Sequence, residues 1–341
     1  MKLGFDLSTG SSSREVVIAA LAGNILVAAT KAGAAAWTGG SAMVSEAIHS
    51  CVDTGNEILL LYGMRRATTQ ADREHPLGYG RELYFWSFIV ALLVFALGAG
   101  VSIYEGILHL MTVQPVKDPM VNYLVLGLAF MFDGASWWIS FRQFRTAKGA
   151  LGYYEAFRRS KDPPSFMVLF EDTAGLIGIV IAAFGTYAAT SLGMPQFDGI
   201  ASILIGLVLA GTAILLARES KSLLLGERAD SKLTESIQRI TEAASPSVKA
   251  NGVLTVHLAP DQILAALSLE FPDNLRTPQI ESAVIEIERR IRAAHPEVVT
   301  LFVKPQTPAA YRDTVRLRFG EAETDVRSSA APIINPVNAF I

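Results

Sequence analysis

The sequence predicts an α-helical membrane protein, with six transmembrane helices followed by a small cytoplasmic α+β domain. Three observations support this fold class. Of the 341 residues, 51% are hydrophobic and 18% are charged. The apolar residues occur in blocks of about 20, the length that crosses a bilayer as a helix. After Arg218 the composition changes to the mixed pattern of a soluble domain.

Six apolar segments define the predicted spans. They cover residues 16–37, 41–62, 83–111, 121–141, 166–192 and 199–217. An even number of spans places both termini on one side of the membrane. The connections that follow the second and fourth spans are rich in Arg and Lys, whereas the connections on the other face contain Lys117 and no other Lys or Arg. The positive-inside rule therefore predicts cytoplasmic termini.

The region after the last span predicts the element order α-β-β-α-β of a ferredoxin-like domain. Its predicted helices are 231–244 and 277–294, and its predicted strands are 253–258, 264–271 and 298–303. A core of this size is marginal, so we expect the domain to pair with a second copy. The predicted divisions are a cytoplasmic N-terminus (1–14), a six-helix membrane domain (15–218), a linker (219–229), a dimerisation domain (230–306) and a flexible tail (307–341).

The second span contains four ionisable residues at spacings of three, four and four: Glu46, His49, Asp53 and Glu57. At about 100° per residue they fall on one stripe of a helix. An ionisable residue at the bilayer centre costs roughly 2.5–3.5 kcal/mol, so the stripe must meet water, a counter-charge or a metal ion.

Within that stripe, His49 and Asp53 form the strongest pair of candidate ligands. An imidazole and a carboxylate four residues apart share one helix face and suit a divalent metal such as zinc. The alternative is a polar contact between helices. We expect Glu46 and Glu57, one turn to either side, to flank the site.

The fifth span carries two adjacent carboxylates, Glu171 and Asp172, between apolar runs. Such a pair is costly at membrane depth unless it shares a proton or a cation. We choose Asp172 as a metal ligand and leave Glu171 open between a second ligand, a proton carrier and a packing group. Asp133, Glu105 and His109 are further buried candidates, for which an interhelical hydrogen bond or a helix end is the favoured alternative.

Three sequence runs and the α-β-β-α-β region carry a family resemblance. The runs are SEAIHSCVD at residues 45–53, DREHPLGYGRE at 72–82 and EDTAGLIG at 171–178. Together they resemble the cation diffusion facilitator family, and most of all its zinc transporter 9-like branch. The resemblance implies a homodimeric six-helix carrier that moves zinc or a similar divalent cation out of the cytoplasm in exchange for protons, by alternating access.

The family pattern places two metal ligands four residues apart on the second helix and two more on the fifth. His49 and Asp53 match the first pair, and Asp172 matches the second member of the other. The remaining position falls on Val168, whose side chain cannot bind a metal. The resemblance therefore implies a three-ligand site unless Glu171, water or another helix completes it.

A second family site lies in the loop after the second span, with the pattern Asp-x-x-His-x-x-x-His. Asp72 and His75 match this pattern, but the last position is Tyr79. We therefore expect a weak second metal site at most, and favour a structural loop. For His257 and His295 in the C-terminal domain we also favour structural roles.

The composition argues against several other classes of protein. A net charge of −3 without a basic cluster does not suggest a nucleic-acid partner. The single cysteine, Cys51, forms no internal disulfide. The sequence has no H-E-x-x-H motif and no nucleophile beside a helix-borne base, so we expect neither an enzyme nor a prosthetic group.

The expected function is therefore the efflux of a divalent cation, zinc first, in exchange for protons. A metal-sensing or non-transporting membrane protein with a degenerate site is the alternative. The expected partners are the metal ion, protons, membrane lipid and a second copy of the chain. The start of the sequence lacks an Arg-rich, acid-poor presequence, which favours a bacterial plasma membrane.

Overall fold

The computed structural model describes residues 9–112 and 118–320, apart from the side chains of residues 9–20, 22, 23 and 159. The chain divides into two compact units, the first ending at Leu225 and the second beginning at Gly226. Residues 1–8, 113–117 and 321–341 are outside the described part of the chain. They include Lys117 and much of the predicted flexible tail.

The first unit is a helix bundle. Its helices are α1 (Thr9–Thr38), α2 (Ser41–Ala67), α3 (Glu82–Leu93), α4 (Gly100–Met111), α5 (Pro119–Lys148), α6 (Tyr153–Arg159), α7 (Pro163–Ser191) and α8 (Gln196–Leu225). A π-helical turn, Val94–Ala99, joins α3 to α4 in one long helix. The six predicted spans correspond to α1, α2, α3 with α4, α5, α7 and α8. The short α6 was not predicted.

Four of these helices are clearly long and apolar enough to cross a membrane: Glu82–Met111, Pro119–Lys148, Pro163–Ser191 and Gln196–Leu225. Helix α2 is less apolar because it carries the ionisable stripe, and it packs against α1, α3, α7 and α8. The protein is thus an α-helical, multi-pass integral membrane protein, as the sequence predicts.

Helices α4 and α8 approach each other closely through glycines. A Cβ atom on Gly206 of α8 would lie 2.6 Å from Ile103 Cγ1 and 3.0 Å from the carbonyl oxygen of Ala99. A Cβ atom on Gly106 of α4 would lie 2.6 Å from the carbonyl oxygen of Gly199 and 2.6 Å from Ile203 Cγ1. Small residues at these positions let the two backbones touch, a common way to pack helices in membranes.

The second unit is a three-stranded sheet with helices. Its elements are α9 (Ser231–Ala244), β1 (Lys249–Ala259), β2 (Gln262–Glu270), α10 (Thr277–Ala294), β3 (Val298–Pro305) and α11 (Pro308–Phe319). The strand order is β1-β2-β3, with β1 antiparallel and β3 parallel to β2. The predicted order α-β-β-α-β is confirmed. Its core combines alternate residues of β2 with helix residues: Ala265, Leu267, Leu269, Ile237, Ile287 and Ile291.

Helix α11 lies where the sequence analysis placed the start of a flexible tail, so that part of the prediction was wrong. The hydroxyl of Thr307 accepts a hydrogen bond from the backbone N–H of Ala310, at 3.3 Å, and caps the helix. Pro308 occupies the first turn, where its missing N–H has no cost. These are local start signals that the prediction overlooked.

We expect Gly206→Ala to destabilise the bundle by about 1–3 kcal/mol, because the new methyl group must displace Ile103 or the backbone of α4. The midpoint of thermal unfolding, measured in detergent by tryptophan fluorescence, should fall. Gly211→Ala is the matched control, since a Cβ there meets nothing within 4 Å. Equal midpoints for the two variants would contradict the close packing of α4 and α8.

Candidate metal centre

The ionisable stripe of α2 lies inside the bundle. Glu46, His49 and Glu57 are buried, and Asp53 is about one-fifth exposed. Two glycines of α7 leave room for the stripe. A Cβ on Gly175 would lie 3.0 Å from His49 Nε2, and one on Gly178 would collide with the carboxylate of Glu46.

Lys31 of α1 is a buried charge that the sequence analysis missed. Its Nζ atom lies 3.0 Å from Glu46 Oε2 and 3.5 Å from Asp133 Oδ2, and its side chain has no exposed surface. The signal was present in the sequence, because a single lysine within an apolar span needs a counter-charge as much as a single carboxylate does.

His49 and Asp53 face each other as their spacing predicts. His49 Nδ1 lies 3.3 Å from Asp53 Oδ1, which is close enough for an ion pair. Neither ring nitrogen of His49 nor Asp53 Oδ1 has a hydrogen-bond partner within the described part of the chain. Apart from this contact with each other, the three atoms are available to bind a ligand.

The two carboxylates of α7 are held by neutral donors on different helices. The side-chain amide of Asn56 donates a hydrogen bond to Glu171 Oε1, at 3.1 Å. The hydroxyl of Ser136 donates one to Asp172 Oδ2, at 3.0 Å. Both hydrogen bonds orient a carboxylate without neutralising it.

A small cavity lies between α1, α2, α5 and α7. Its lining residues are Asn24, Val27, Ser50, Asp53, Asp133, Glu171, Asp172 and Gly175. The cavity measures about 20 Å³, and roughly 10–15 Å³ is the least that holds one water molecule. It can therefore take one small particle, such as a metal ion that has shed most of its hydration shell.

The cavity brings together three of the predicted site residues, namely Asp53, Glu171 and Asp172, and adds Asp133. His49 does not line the cavity and adjoins it through Asp53. Within residues 9–112 and 118–320, no three His, Cys, Asp or Glu side chains are already close enough to enclose a metal ion. Side chains would have to turn inward on metal binding.

Glu57 and Glu46 flank the cavity without lining it. The side-chain amide of Asn24 donates a hydrogen bond to Glu57 Oε1, at 2.8 Å, while Glu46 pairs with Lys31. Both carboxylates therefore have partners of their own on α1, which agrees with the flanking positions expected for them.

His109 belongs to a separate polar contact at the start of α2. Asp198 Oδ2 of α8 accepts hydrogen bonds from the backbone N–H groups of Ser41 and Ala42, and thereby caps α2. His109 Nε2 lies 3.7 Å from the same oxygen. His109 thus lies in an interhelical contact at a helix end. This is the structural role that the sequence analysis favoured for it over a metal ligand. Glu105, like His109, is not among the residues that line the cavity.

The loop motif after α2 is built around Asp72. Its Oδ1 atom accepts hydrogen bonds from the backbone N–H groups of Glu74 and His75, at 2.9 and 2.7 Å, and its Oδ2 atom accepts one from the hydroxyl of Tyr79, at 2.7 Å. The hydrogen bond from Tyr79, together with those from the backbone, lowers the pKa of Asp72. With both oxygens engaged, Asp72 fits a structural loop better than a second metal site.

The histidines of the second unit have local partners. His295 Nε2 lies 2.8 Å from Ser236 Oγ, and its Nδ1 lies 3.1 Å from Glu297 Oε1. His257 Nδ1 lies 3.2 Å from the carbonyl oxygen of Ala259. These contacts are consistent with the structural roles expected for both.

Comparison with known sequences defines the class of protein. Residues 17–225 match the family described as the cation efflux transmembrane domain. The chain therefore belongs to the cation diffusion facilitator family, a family of membrane transporters and not of enzymes. The resemblance inferred from the sequence runs is confirmed.

Several individual relatives are similar to this part of the chain. The mouse and human proteins named proton-coupled zinc antiporter SLC30A9, mitochondrial, are 34% and 33% identical to it, over 218 and 219 residues. Metal tolerance protein C4 of Arabidopsis thaliana is 34% identical over 221 residues. These alignments cover 63–64% of this chain. They cover 38% of the mouse and human proteins and 48% of the plant protein, so the chain matches less than half the length of each.

We expect Tyr79→Phe to raise the pKa of Asp72 towards its ordinary value, because the carboxylate loses the hydroxyl that stabilises its charge. The folded loop lowers this pKa. The ionised Asp72 therefore contributes its full share to the stability of the folded protein above the pKa that it has in the unfolded chain. This contribution is lost as the pH falls through its pKa in the folded protein. A carbon-13 NMR titration of labelled aspartate carboxyl groups measures the change.

Tyr104→Phe is the control for this titration, since Tyr104 is exposed on α4 and is not among the hydrogen-bond donors to Asp72. An Asp72 pKa that is the same in both variants would contradict the hydrogen-bond assignment.

Proposed function

We propose that the protein is a proton-coupled carrier that exports a divalent cation, with zinc as the first choice, and works as a homodimer by alternating access. The observation that carries this proposal is the small cavity where carboxylates of α2, α5 and α7 converge beside His49. It lies in the membrane domain, the part of the chain that matches the cation efflux family.

The chemistry of the cavity favours a cation. Four carboxylates line it, and Lys31 at its edge supplies a single ammonium group that is shared with Glu46. Oxygen ligands with one imidazole suit zinc and also cobalt, iron(II), manganese and cadmium. The names of the mouse and human relatives specify zinc for those proteins, and we extend that choice to this chain.

Proton coupling follows from the same groups. A metal ion binds ionised carboxylates and a neutral imidazole, so protons and metal compete for Asp53, Asp172 and His49. Exposure of these groups to an acidic compartment protonates them and releases the metal. The protonated groups then return with their charge reduced, which makes the return across the membrane less costly.

Alternating access requires α2 and α7 to move relative to each other or to the rest of the bundle. Gly175 and Gly178 present no side chain of their own to His49 and Glu46, so α7 offers a smooth surface to this part of α2. The π-helical turn Val94–Ala99 interrupts the regular hydrogen bonding of the helix beside α2. Such turns often occur at functional sites. Both features support a helix bundle in which α2 and α7 can change position relative to their neighbours.

The choice of membrane and the pairing of chains stay predictions. The names of the mouse and human relatives place those proteins in mitochondria, whereas the sequence favoured a bacterial plasma membrane. Cytoplasmic termini rest on the distribution of Arg and Lys, and the homodimer rests on the small size of the second unit.

A metal-sensing or non-transporting membrane protein is the second candidate. Two observations favour it. Val168 occupies a position where the family pattern has a ligand, and within the described residues no three ligands are already in place. A measurement of flux separates the two functions, because a sensor binds the ion without moving it.

In proteoliposomes with an imposed pH gradient, we expect Asp53→Asn and Asp172→Asn each to reduce zinc uptake at least tenfold, since each removes a charged ligand from the cavity. A fluorescent zinc indicator inside the vesicles measures the uptake. Glu105→Gln is the control, because it removes an intramembrane carboxylate that does not line the cavity.

Native-like uptake in both aspartate variants would overturn the proposed site. Absence of flux from the native chain with zinc, manganese, iron(II) and cadmium alike would overturn the carrier function and leave the sensor as the remaining candidate.

A further inference from the structure

The family pattern leaves the metal site one ligand short, and the structure offers a replacement. Val168, at the position of the missing ligand, is not among the residues that line the cavity. Asp133 of α5 does line it, together with Asp53 and Asp172. No residue of α5 belongs to the ligand pattern that the sequence runs imply.

We propose that Asp133 supplies the missing metal ligand, and that the ammonium group of Lys31 competes with the metal ion for this carboxylate. The inference rests on the proposed function as a metal carrier. The site then draws its ligands from three helices: His49 and Asp53 from α2, Asp172 from α7 and Asp133 from α5.

The position of Asp133 on α5 supports its assignment as a ligand. Ser136 lies three residues further along α5 and so occupies the same helix face. Its hydroxyl already holds Asp172 Oδ2, at 3.0 Å. The face that carries Asp133 is therefore directed towards a predicted ligand of α7.

The contacts of Lys31 show how Asp133 can be released. Lys31 Nζ lies 3.0 Å from Glu46 Oε2 and 3.5 Å from Asp133 Oδ2, so Glu46 is the closer partner. A buried ammonium without any partner would be strongly unfavourable. Because Glu46 stays with Lys31, Asp133 can turn to a metal ion without leaving that ammonium unpaired.

A second observation points to a ligand at this place. His49 is almost completely buried, and neither of its ring nitrogens has a hydrogen-bond partner among the described residues. Its Nδ1 atom adjoins Asp53, which lines the cavity with Asp133. A buried ring nitrogen without a hydrogen bond is costly, and a metal ion held between α2 and α5 would provide a partner for His49.

Competition for Asp133 has a physical consequence for transport. Lys31 and the metal ion are both cations, so the metal binds Asp133 only when the Lys31–Asp133 contact opens. Metal binding to α2 and α7 is thereby linked to the contact between α1 and α5. Lys31 also partly neutralises Asp133 whenever the metal is elsewhere, which lowers the cost of carrying this carboxylate through the membrane.

The test measures zinc affinity of the full chain in detergent, by competition with a fluorescent zinc chelator. Asp133→Asn should weaken zinc binding about tenfold or more, because second-sphere changes alone cost 10–100-fold. The double variant Lys31→Met with Glu46→Gln removes the competing ammonium together with its own partner. It should bind zinc more tightly than the native chain does.

The two variants break the same Lys31–Asp133 contact, so a purely structural contact predicts that they shift zinc affinity in the same direction. Opposite shifts support the proposal. Unchanged affinity in Asp133→Asn, or weakening in both variants, overturns it. Thermal unfolding midpoints near that of the native chain establish that each variant is folded. Should Asp133→Asn be unfolded, Asp133→Glu, which keeps the carboxylate, is compared with Asp133→Ser, which removes it. Equal zinc affinity of these two variants overturns the proposal.

The native chain and Asp53→Asn are titrated alongside. A native chain that does not bind zinc, manganese, iron(II) or cadmium overturns the proposed function itself. If the native chain binds zinc, Asp53→Asn weakens this binding and Asp133→Asn does not, only the assignment of Asp133 is overturned.

Discussion

The burial of charge inside the helix bundle is the constraint on which the rest of the structure depends. Lys31 and Glu46 are buried and Asp133 is partly buried, where an unpaired charge would cost several kcal/mol, and the ammonium meets both carboxylates. The neighbouring helix accommodates them with glycine, since a side chain at Gly178 would collide with Glu46. Packing of α1, α2, α5 and α7 therefore follows from the need to keep these groups together.

The same constraint favours a cation in the cavity. Asn56 and Ser136 hold Glu171 and Asp172 through hydrogen bonds that supply no charge. The buried ammonium of Lys31 is shared between Glu46 and Asp133. The cavity is consequently left with more carboxylate than ammonium, and a metal ion or protons must supply the balance. An exchange of one for the other is the chemistry that the proposed proton-coupled carrier would use.

The motif in the loop after α2 shows how hydrogen bonding distinguishes one carboxylate from another. Asp72 uses both oxygens to fix its own turn and the hydroxyl of Tyr79, and these bonds lower its pKa. In the membrane, Asp53 Oδ1 and Glu57 Oε2 lack a hydrogen-bond partner within the described residues. Local donors thus satisfy both oxygens of Asp72, whereas Asp53 and Glu57 each keep one oxygen without a donor among the described residues.

The sequence by itself determined the membrane class, the six long helices, the α-β-β-α-β unit and the inward stripe of α2, because length, hydropathy and helical periodicity are local properties. It also indicated the family through three short runs. Only the tertiary structure decided which buried charges meet. Lys31, Glu46 and Asp133 lie on three helices, and Lys31 and Asp133 are 102 positions apart in the chain, so no spacing rule connects them. The cap of α2 by Asp198 was likewise invisible, since it depends on how two distant helix ends approach each other.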